Sequence, residues 1–236
     1  MPEAADLQRL RKEYSDRSQR LRAQNVYSVF NRAFLFLIQQ REQALLNLIN
    51  QNGLSDFTNQ RILEIGCGGG GVLLEFLRYG VEMPRLTGID LLHDRLAAAH
   101  RRLPGAALAG ADGQTLPFCA GQFDWVLQYM AFSSILDGGI KTRIALDMLR
   151  VLKPHGAIVW YDFWLNPTNR QTKGIAPAEI RGLFPGCTVE LHKITLAPPL
   201  ARRIVPWSWD LGRILESLSL FNSHYLALIR PGGNPE

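Results

Sequence analysis

The chain is poor in cysteine, and the three it has, Cys67, Cys119 and Cys187, lie far apart. No C-x-x-C pair and no cysteine–histidine cluster occurs, so neither a structural zinc site nor a disulfide framework is expected. Such usage suits a reducing compartment, and the cytoplasm is the expected location. Long apolar runs are missing too: the most apolar stretch, residues 33–38, is far too short to span a bilayer. The first 25 residues are polar and carry both signs of charge, without the apolar core of a secretory signal. There is no internal repeat, no low-complexity tract, no block of consecutive basic residues and no aromatic–basic RNA-binding motif. The net charge of +5 leans only weakly towards acidic partners, so nucleic acid is not the favoured one. What is present is 236 residues of ordinary apolar and charged content, enough for one large domain or one domain with a helical appendage.

Periodicity divides the chain. Between residues 1 and 33 there are seven basic and four acidic residues, and the first 22 read as a charged helix. Phe34, Leu37, Ile38, Leu45, Leu48 and Ile49 then recur at helical spacing, with Gly53 as the stop. Residues 1–58 are expected to form an N-terminal helical extension and 59–236 the main domain. From Arg61 short apolar strands alternate with helices: strands over 61–65, 86–89, 107–111, 124–128 and 157–161, helices over 71–79, 94–102 and 142–152. That alternation predicts an α/β fold, a mostly parallel sheet covered on both faces. A short helix over 177–184 and strands over 188–196 and 225–229 follow, the last strand expected to run antiparallel. Residues 198–222 look like an insertion on the substrate side. Its stripe of Ile204, Trp207, Leu211, Ile214, Leu215 and Leu218 reads as the buried face of a helix.

Gly66-Cys67-Gly68-Gly69-Gly70-Gly71 follows a strand and precedes a helix. Glycines there let the chain turn tightly and let a ligand approach bare backbone, while the helix start offers unpaired amides. The run also satisfies the dinucleotide pattern G-x-G-x-x-G, so the turn alone leaves a nicotinamide dinucleotide open. The surrounding acids discriminate. Glu64, Asp90 and Asp112 stand at the ends of three successive strands, on the edge where such sheets bind ligands. A carboxylate beside the turn repels a pyrophosphate and attracts a sulfonium with an ammonium group.

In that context Leu63-Glu64-Ile65-Gly66-Cys67-Gly68-Gly69-Gly70 resembles the first motif of class I S-adenosylmethionine-dependent methyltransferases. Gly88-Ile89-Asp90 resembles the second, and Ala111-Asp112-Gly113-Gln114 through Leu116-Pro117-Phe118 the adenine-side loop. Phe123-Asp124-Trp125-Val126 is similar to the fourth-strand motif, and Leu149-Arg150-Val151-Leu152-Lys153-Pro154-His155-Gly156 to the turn into strand five. The likeness covers residues 61–162, in the family's order, and the domain is similar to the broad "methyltransferase type 11/12" group. It implies a Rossmann-like, seven-stranded, mostly parallel sheet and S-adenosylmethionine as cofactor, with S-adenosylhomocysteine as product. It also implies roles: Glu64, Gly66, Cys67 and Gly68 at the methionine portion, Asp90 at the ribose, Leu91 against the adenine, Asp112 and Gly113 at its border, and Gln128 near the sulfonium. A preceding helical segment covers the cofactor in similar enzymes, which nominates Tyr27 for a cation–π contact. Asp90 as a helix cap and Asp112 as a turn residue stay open.

A small-molecule acceptor then has to lie beyond strands four and five. Tyr129, Met130, Phe132 and Trp164 are the candidate substrate contacts, with Asp162 and His224 as candidate bases. Asn166-Pro167 and Asn169 continue the same loop and could bind polar groups. After strand four the residues are Gln128-Tyr129-Met130-Ala131, unlike the Asn/Asp-Pro-Pro-Tyr/Phe motif of adenine-methylating enzymes. No cysteine lies in the Pro-Cys setting of cytosine C5 methylation, and no metal set is evident. The expectation is methylation of a hydroxyl oxygen on a sugar, glycolipid or natural product. Rival readings are an RNA or DNA methyltransferase, an NAD-binding oxidoreductase, and a cofactor-binding partner subunit without activity.

Overall fold

The structure, a computed structural model, describes residues 26–165 and 172–232. The expected charged N-terminal helix, Asn166-Pro167 and Asn169 lie outside those residues. Helix α1 (Arg32–Gln51) starts where the Asn31 side chain accepts from the amides of Ala33 and Phe34, and Gly53 follows it at φ +69°. Then come β1 (Ile62–Ile65), α2 (Gly71–Arg78), β2 (Leu86–Asp90), α3 (His93–Arg102), β3 (Ala107–Gly110) and β4 (Phe123–Tyr129). A 3-10 turn over Phe132–Ser134 leads to α4 (Gly138–Val151) and β5 (Leu152–Phe163). The last third contains α5 (Pro177–Leu183), β6 (Cys187–Leu196), α6 (Pro198–Ile204), α7 (Trp209–Ser217) and β7 (Asn222–Pro231).

The seven strands form one sheet in the order β3-β2-β1-β4-β5-β7-β6. The first five are parallel, and β7 runs antiparallel between β5 and β6. β1 is buried at every position, as a strand covered on both faces must be. One core gathers Leu45, Leu48 and Ile49 of α1 with Leu73 and Phe76 of α2 against the sheet. The other sets Ile144 and Met148 of α4 and Ile180 of α5 against the opposite face. Helix α1 thus packs against the same face of the sheet as α2. No helix among the described residues is long and apolar enough to cross a membrane.

Three differences from expectation have local causes. α4 begins at Gly138 rather than 142, because the Asp137 side chain accepts from the Ile140 amide and starts the helix through two glycines. β5 begins at Leu152 rather than 157, because Leu152 pairs with Phe123 across an irregularity in the register. The stripe of 204–218 faces outward: Trp207 is 90% exposed, Leu211 46%, Ile214 58% and Leu218 60%. The side of α7 that packs inward carries Gly212, which stands against Val205 and Phe36, while Leu215 is half-buried.

Candidate functional site

Parallel register brings the tips of β1, β2 and β4 level, with Ile65 beside both Ile89 and Gln128, and Asp90 beside Gly110 of β3. The glycine turn rises from that edge. Gly66, Gly68 and Gly70 adopt φ of +72°, +54° and +73°, a region that side chains strain. There is little room for one either: a Cβ on Gly66 would come within 3.1 Å of the Ala131 Cβ, and one on Gly68 within 3.2 Å of the Arg95 guanidinium. Asp90, 6% exposed, holds the turn in place. Its two oxygens accept from the amides of Gly68 and Leu92, each at 2.8 Å. Its first duty is therefore to join the turn to the start of α3, leaving one further lone pair on each oxygen. Leu91 stands half-buried beside it.

Glu64 differs. It is 2% exposed, and its Oε2 has no hydrogen-bond partner. Burial, reinforced by the negative charge of Glu75, pushes its carboxyl well above the usual range, against the opposing pull of Arg41. Around it lies a polar cluster that sequence periodicity does not reveal. Arg41 of α1 pairs with Glu75 of α2, and its guanidinium stands 5.4 Å from the centre of the Tyr129 ring and 5.8 Å from that of Tyr161. Arg41 Nε, Glu75 Oε2 and the Tyr129 hydroxyl are buried without partners, like Glu64 Oε2. The available signal was charge inside an otherwise apolar helical stripe, with Arg41 four residues before Leu45.

Several nominated residues are engaged otherwise. Cys67 turns its thiol under Gly88, whose Cβ would meet the sulfur at 2.8 Å, and gives its amide to the Ile89 carbonyl at 2.9 Å. It packs the turn and offers a ligand neither group. Asp112 accepts from the amide and the side chain of Gln114, at 2.9 and 3.0 Å, as a turn residue does. Gly113 is buried against Ile65 and Ile144. Gln128 is fully buried, donating to Asp162 Oδ2 at 3.1 Å and accepting from the Ala131 amide at 3.1 Å. Phe132 is fully buried against Trp160, with ring centres 4.5 Å apart, and packs in the core. Met130 sits at φ +63°, its amide bonded to the Tyr161 carbonyl. Trp164 gives its indole N–H to the Asn222 carbonyl at 2.8 Å and lies under the Lys193 ammonium. Tyr27 stacks edge-on to Phe34 at 5.3 Å, near the start of α1.

The two candidate bases do not converge. Phe163 pairs with His224 and Asp162 with Tyr225, so the pleat sends Asp162 and His224 to opposite faces. Asp162, 1% exposed, accepts from the Gln128 side chain and from the amides of Ser133 and Phe163, at 2.8 to 3.1 Å. Burial raises its carboxyl while those bonds pull it down. It ties the 3-10 turn to the tip of β5. His224, 3% exposed, lies flat on Tyr161 at 4.7 Å and against Phe163 at 4.0 Å. Its Nδ1 is bonded to the Ser223 hydroxyl at 3.0 Å, and burial, aided by Arg41, depresses its pKa to about 3. A neutral, enclosed imidazole of that basicity is a poor proton acceptor. A recess of about 670 Å³ between α1 and α7, lined by Gln43, Asn47, Lys193 and Arg213, includes none of the strand-tip acids.

Residues 62–156 match the family model described as a methyltransferase domain. Over 122 residues the chain is 31% identical to the phthiotriol/phenolphthiotriol dimycocerosates methyltransferase 1 of Mycobacterium ulcerans, covering 48% of this chain and 41% of that one. Over 121 residues it is 29% identical to the ubiquinone/menaquinone biosynthesis C-methyltransferase of Geobacter sulfurreducens, covering 49% and 46%. Both matches thus span less than half of either partner. The fold is that of an S-adenosylmethionine-dependent methyltransferase structure from Mesorhizobium loti, with a TM-score of 0.54 at 17% identity, over 72% of this chain and 90% of that one. The matched stretch begins at β1 and ends in the turn of β5, so that the glycine turn, Asp90 and the β4 tip all fall inside the part of the chain that is similar to a methyltransferase domain.

Proposed function

We propose that the protein transfers a methyl group from S-adenosylmethionine to a small lipid-like molecule received beyond the tips of β4 and β5. The observation that carries the donor half is the Glu64 carboxyl, buried at the root of the glycine turn with one oxygen unpartnered. An unmet buried acceptor is costly, and a ligand bearing an ammonium group supplies both the donor and the compensating charge. A diphosphate in the same place would meet a carboxylate instead, which argues against a nicotinamide dinucleotide. The residues therefore fit the donor. Glu64 and the bare backbone of Gly66 and Gly68 would hold its amino-acid portion. Asp90 would receive ribose hydroxyls on its remaining lone pairs, and Leu91 would pack against the adenine, with Asp112 and Gly113 at its border. When bound, the donor supplies a methyl carbon already activated by its sulfonium. The chain's own task is to align the acceptor and exclude water. Tyr129, Met130 and Trp164 are the residues nominated to border the acceptor.

The relatives' names speak of dimycocerosates and quinones, which supports a lipid-like acceptor over a free sugar. Asp162 and His224 are both hydrogen-bonded and enclosed, so we favour a phenolic or enolic acceptor. Such a group, with a phenol pKa of about 10, is far more acidic than an aliphatic alcohol and reacts at its oxygen or the adjacent carbon with less help from a base. Labelled methyl donor offered with a panel of phenolic lipids, quinol precursors and sugars tests this. Transfer confined to lipid-like phenols or enols is the expected result, and transfer to sugars alone would overturn the acceptor reading. Failure to bind S-adenosylhomocysteine would overturn the donor reading.

A further inference from the structure

The outward stripe of α7 has no use in the donor site, and its surroundings give it a character. Trp207, at 90% exposure, stands at the turn between α6 and α7, followed by Leu211, Ile214 and Leu218 at helical spacing along the free side of α7. Leu220 extends the patch at 73%. The segment before α1 adds Phe30, 94% exposed, and is tied to the same place. The Arg32 guanidinium donates to the Pro206 carbonyl at 3.1 Å, and the Phe36 ring meets Trp209 edge-on at 5.1 Å. Soluble surfaces scatter such side chains singly; here they are gathered on one helical pair and the segment beside it.

The charge around the stripe is mostly of one sign. Arg32, Arg202, Arg203 and Arg213 are all exposed. Of the two acids on α7, Glu216 turns inward to accept from the Thr195 amide at 2.9 Å, leaving Asp210 as the exposed one. An aliphatic stripe with a tryptophan at its tip and arginines at its flanks matches the chemistry of an anionic bilayer surface: acyl chains below, phosphates at the level of the guanidinium groups.

We propose that the α6–α7 hairpin is a docking surface for anionic phospholipid membranes, with Trp207, Leu211, Ile214 and Leu218 entering the interface and the arginines meeting the headgroups. This inference is independent of the donor and acceptor assigned above. Docking would bring the chain to the phase in which lipid-like molecules are dissolved.

Flotation of the full chain with vesicles of phosphatidylcholine, alone or with about one third phosphatidylglycerol, tests the proposal. The expected result is binding to the anionic vesicles that weakens with added salt. Joint replacement Trp207→Ser and Leu218→Ser should lower it by on the order of tenfold or more. Arg202→Gln with Arg203→Gln should lessen the preference for anionic lipid. Lipids with brominated chains should quench the wild-type fluorescence more than that of Trp207→Phe. Circular dichroism and S-adenosylhomocysteine affinity should stay unchanged in all these variants, so a failure of docking is read apart from a failure of the methyltransferase reading. The proposal is overturned if the wild type stays in the aqueous fraction or if the serine variant floats equally well. It is also overturned if light scattering finds a dimer that Leu218→Ser returns to monomer, since a second copy would then cover the stripe.

Discussion

The sheet edge has two halves built on different principles. At the tips of β1 and β2 the backbone shapes the site: positive-φ glycines make the turn, Asp90 fastens it through two amides, and Glu64 keeps an oxygen unpaired. At the tips of β4, β5 and β7 side chains engage one another: Gln128 with Asp162, Asp162 with Ser133, His224 between aromatic rings. The first half leaves a buried carboxyl oxygen of Glu64 unpartnered, whereas in the second the Gln128, Asp162 and His224 side chains are engaged with neighbours. Under the proposed function, charge recognition belongs to the first, and shape and exclusion of water to the second.

The sharpest way to break this contrast is Asp90→Ala. Two charge-assisted bonds to the turn and the start of α3 vanish, about 3 kcal/mol or more together. S-adenosylhomocysteine affinity by calorimetry should fall on the order of 100-fold. Asp162→Asn should act on stability instead. An amide N–H₂ then faces donors that now meet a carboxylate, a loss of about 1–3 kcal/mol and a Tm lower by several degrees, with ligand affinity nearly unchanged. If Asp162→Asn weakens ligand binding as severely as Asp90→Ala, the two halves are not distinct.

Glu64→Gln sharpens the comparison further. With its pKa raised in the free protein, Glu64 holds more protons folded than unfolded above the ordinary carboxylate range. Its contribution to stability is thus full at low pH and is lost as pH rises towards the raised value. A ligand ammonium favours the ionised form, so binding releases a proton and affinity should rise with pH across that window. Glu64→Gln should flatten this dependence and weaken binding by about tenfold, seen by calorimetry in buffers of different ionisation enthalpy. The smallest effect is expected from His224→Phe, which keeps the stack on Tyr161 and Phe163: a stability change of about 1 kcal/mol or less. With its folded pKa near 3, His224 is neutral at physiological pH; its stabilising effect is present above about 6.5 and lost as pH falls below it. The phenylalanine variant should therefore resist acid better. A hundredfold loss of turnover in this variant would restore His224 as a base.

The first half was readable because its determinants are local: glycines at a strand–helix turn and an acid closing each strand follow from spacing. The second half depends on pleat direction and on pairing between strands remote in sequence. Asp162 and His224 can share an edge and still face apart, which only the register of β5 with β7 decides. Phe132, expected to line the acceptor site, lies in the core because the 3-10 turn folds it back over Trp160. The stripe of 204–218 shows the limit of periodicity itself. A period of 3.6 identifies an apolar side of a helix, and what that side meets is set by Gly212, whose missing side chain lets the other side of α7 approach Phe36 and Val205.

The place of β7 has a consequence for how the chain comes off the ribosome. β7, which follows both of its neighbours in the sequence, fills an interior slot, with β5 on one side and β6 on the other. Until it emerges, two strands wait with open hydrogen-bonding edges, a state prone to pairing with other chains. The nascent protein should therefore stay susceptible to proteolysis and dependent on chaperones until β7 clears the exit tunnel.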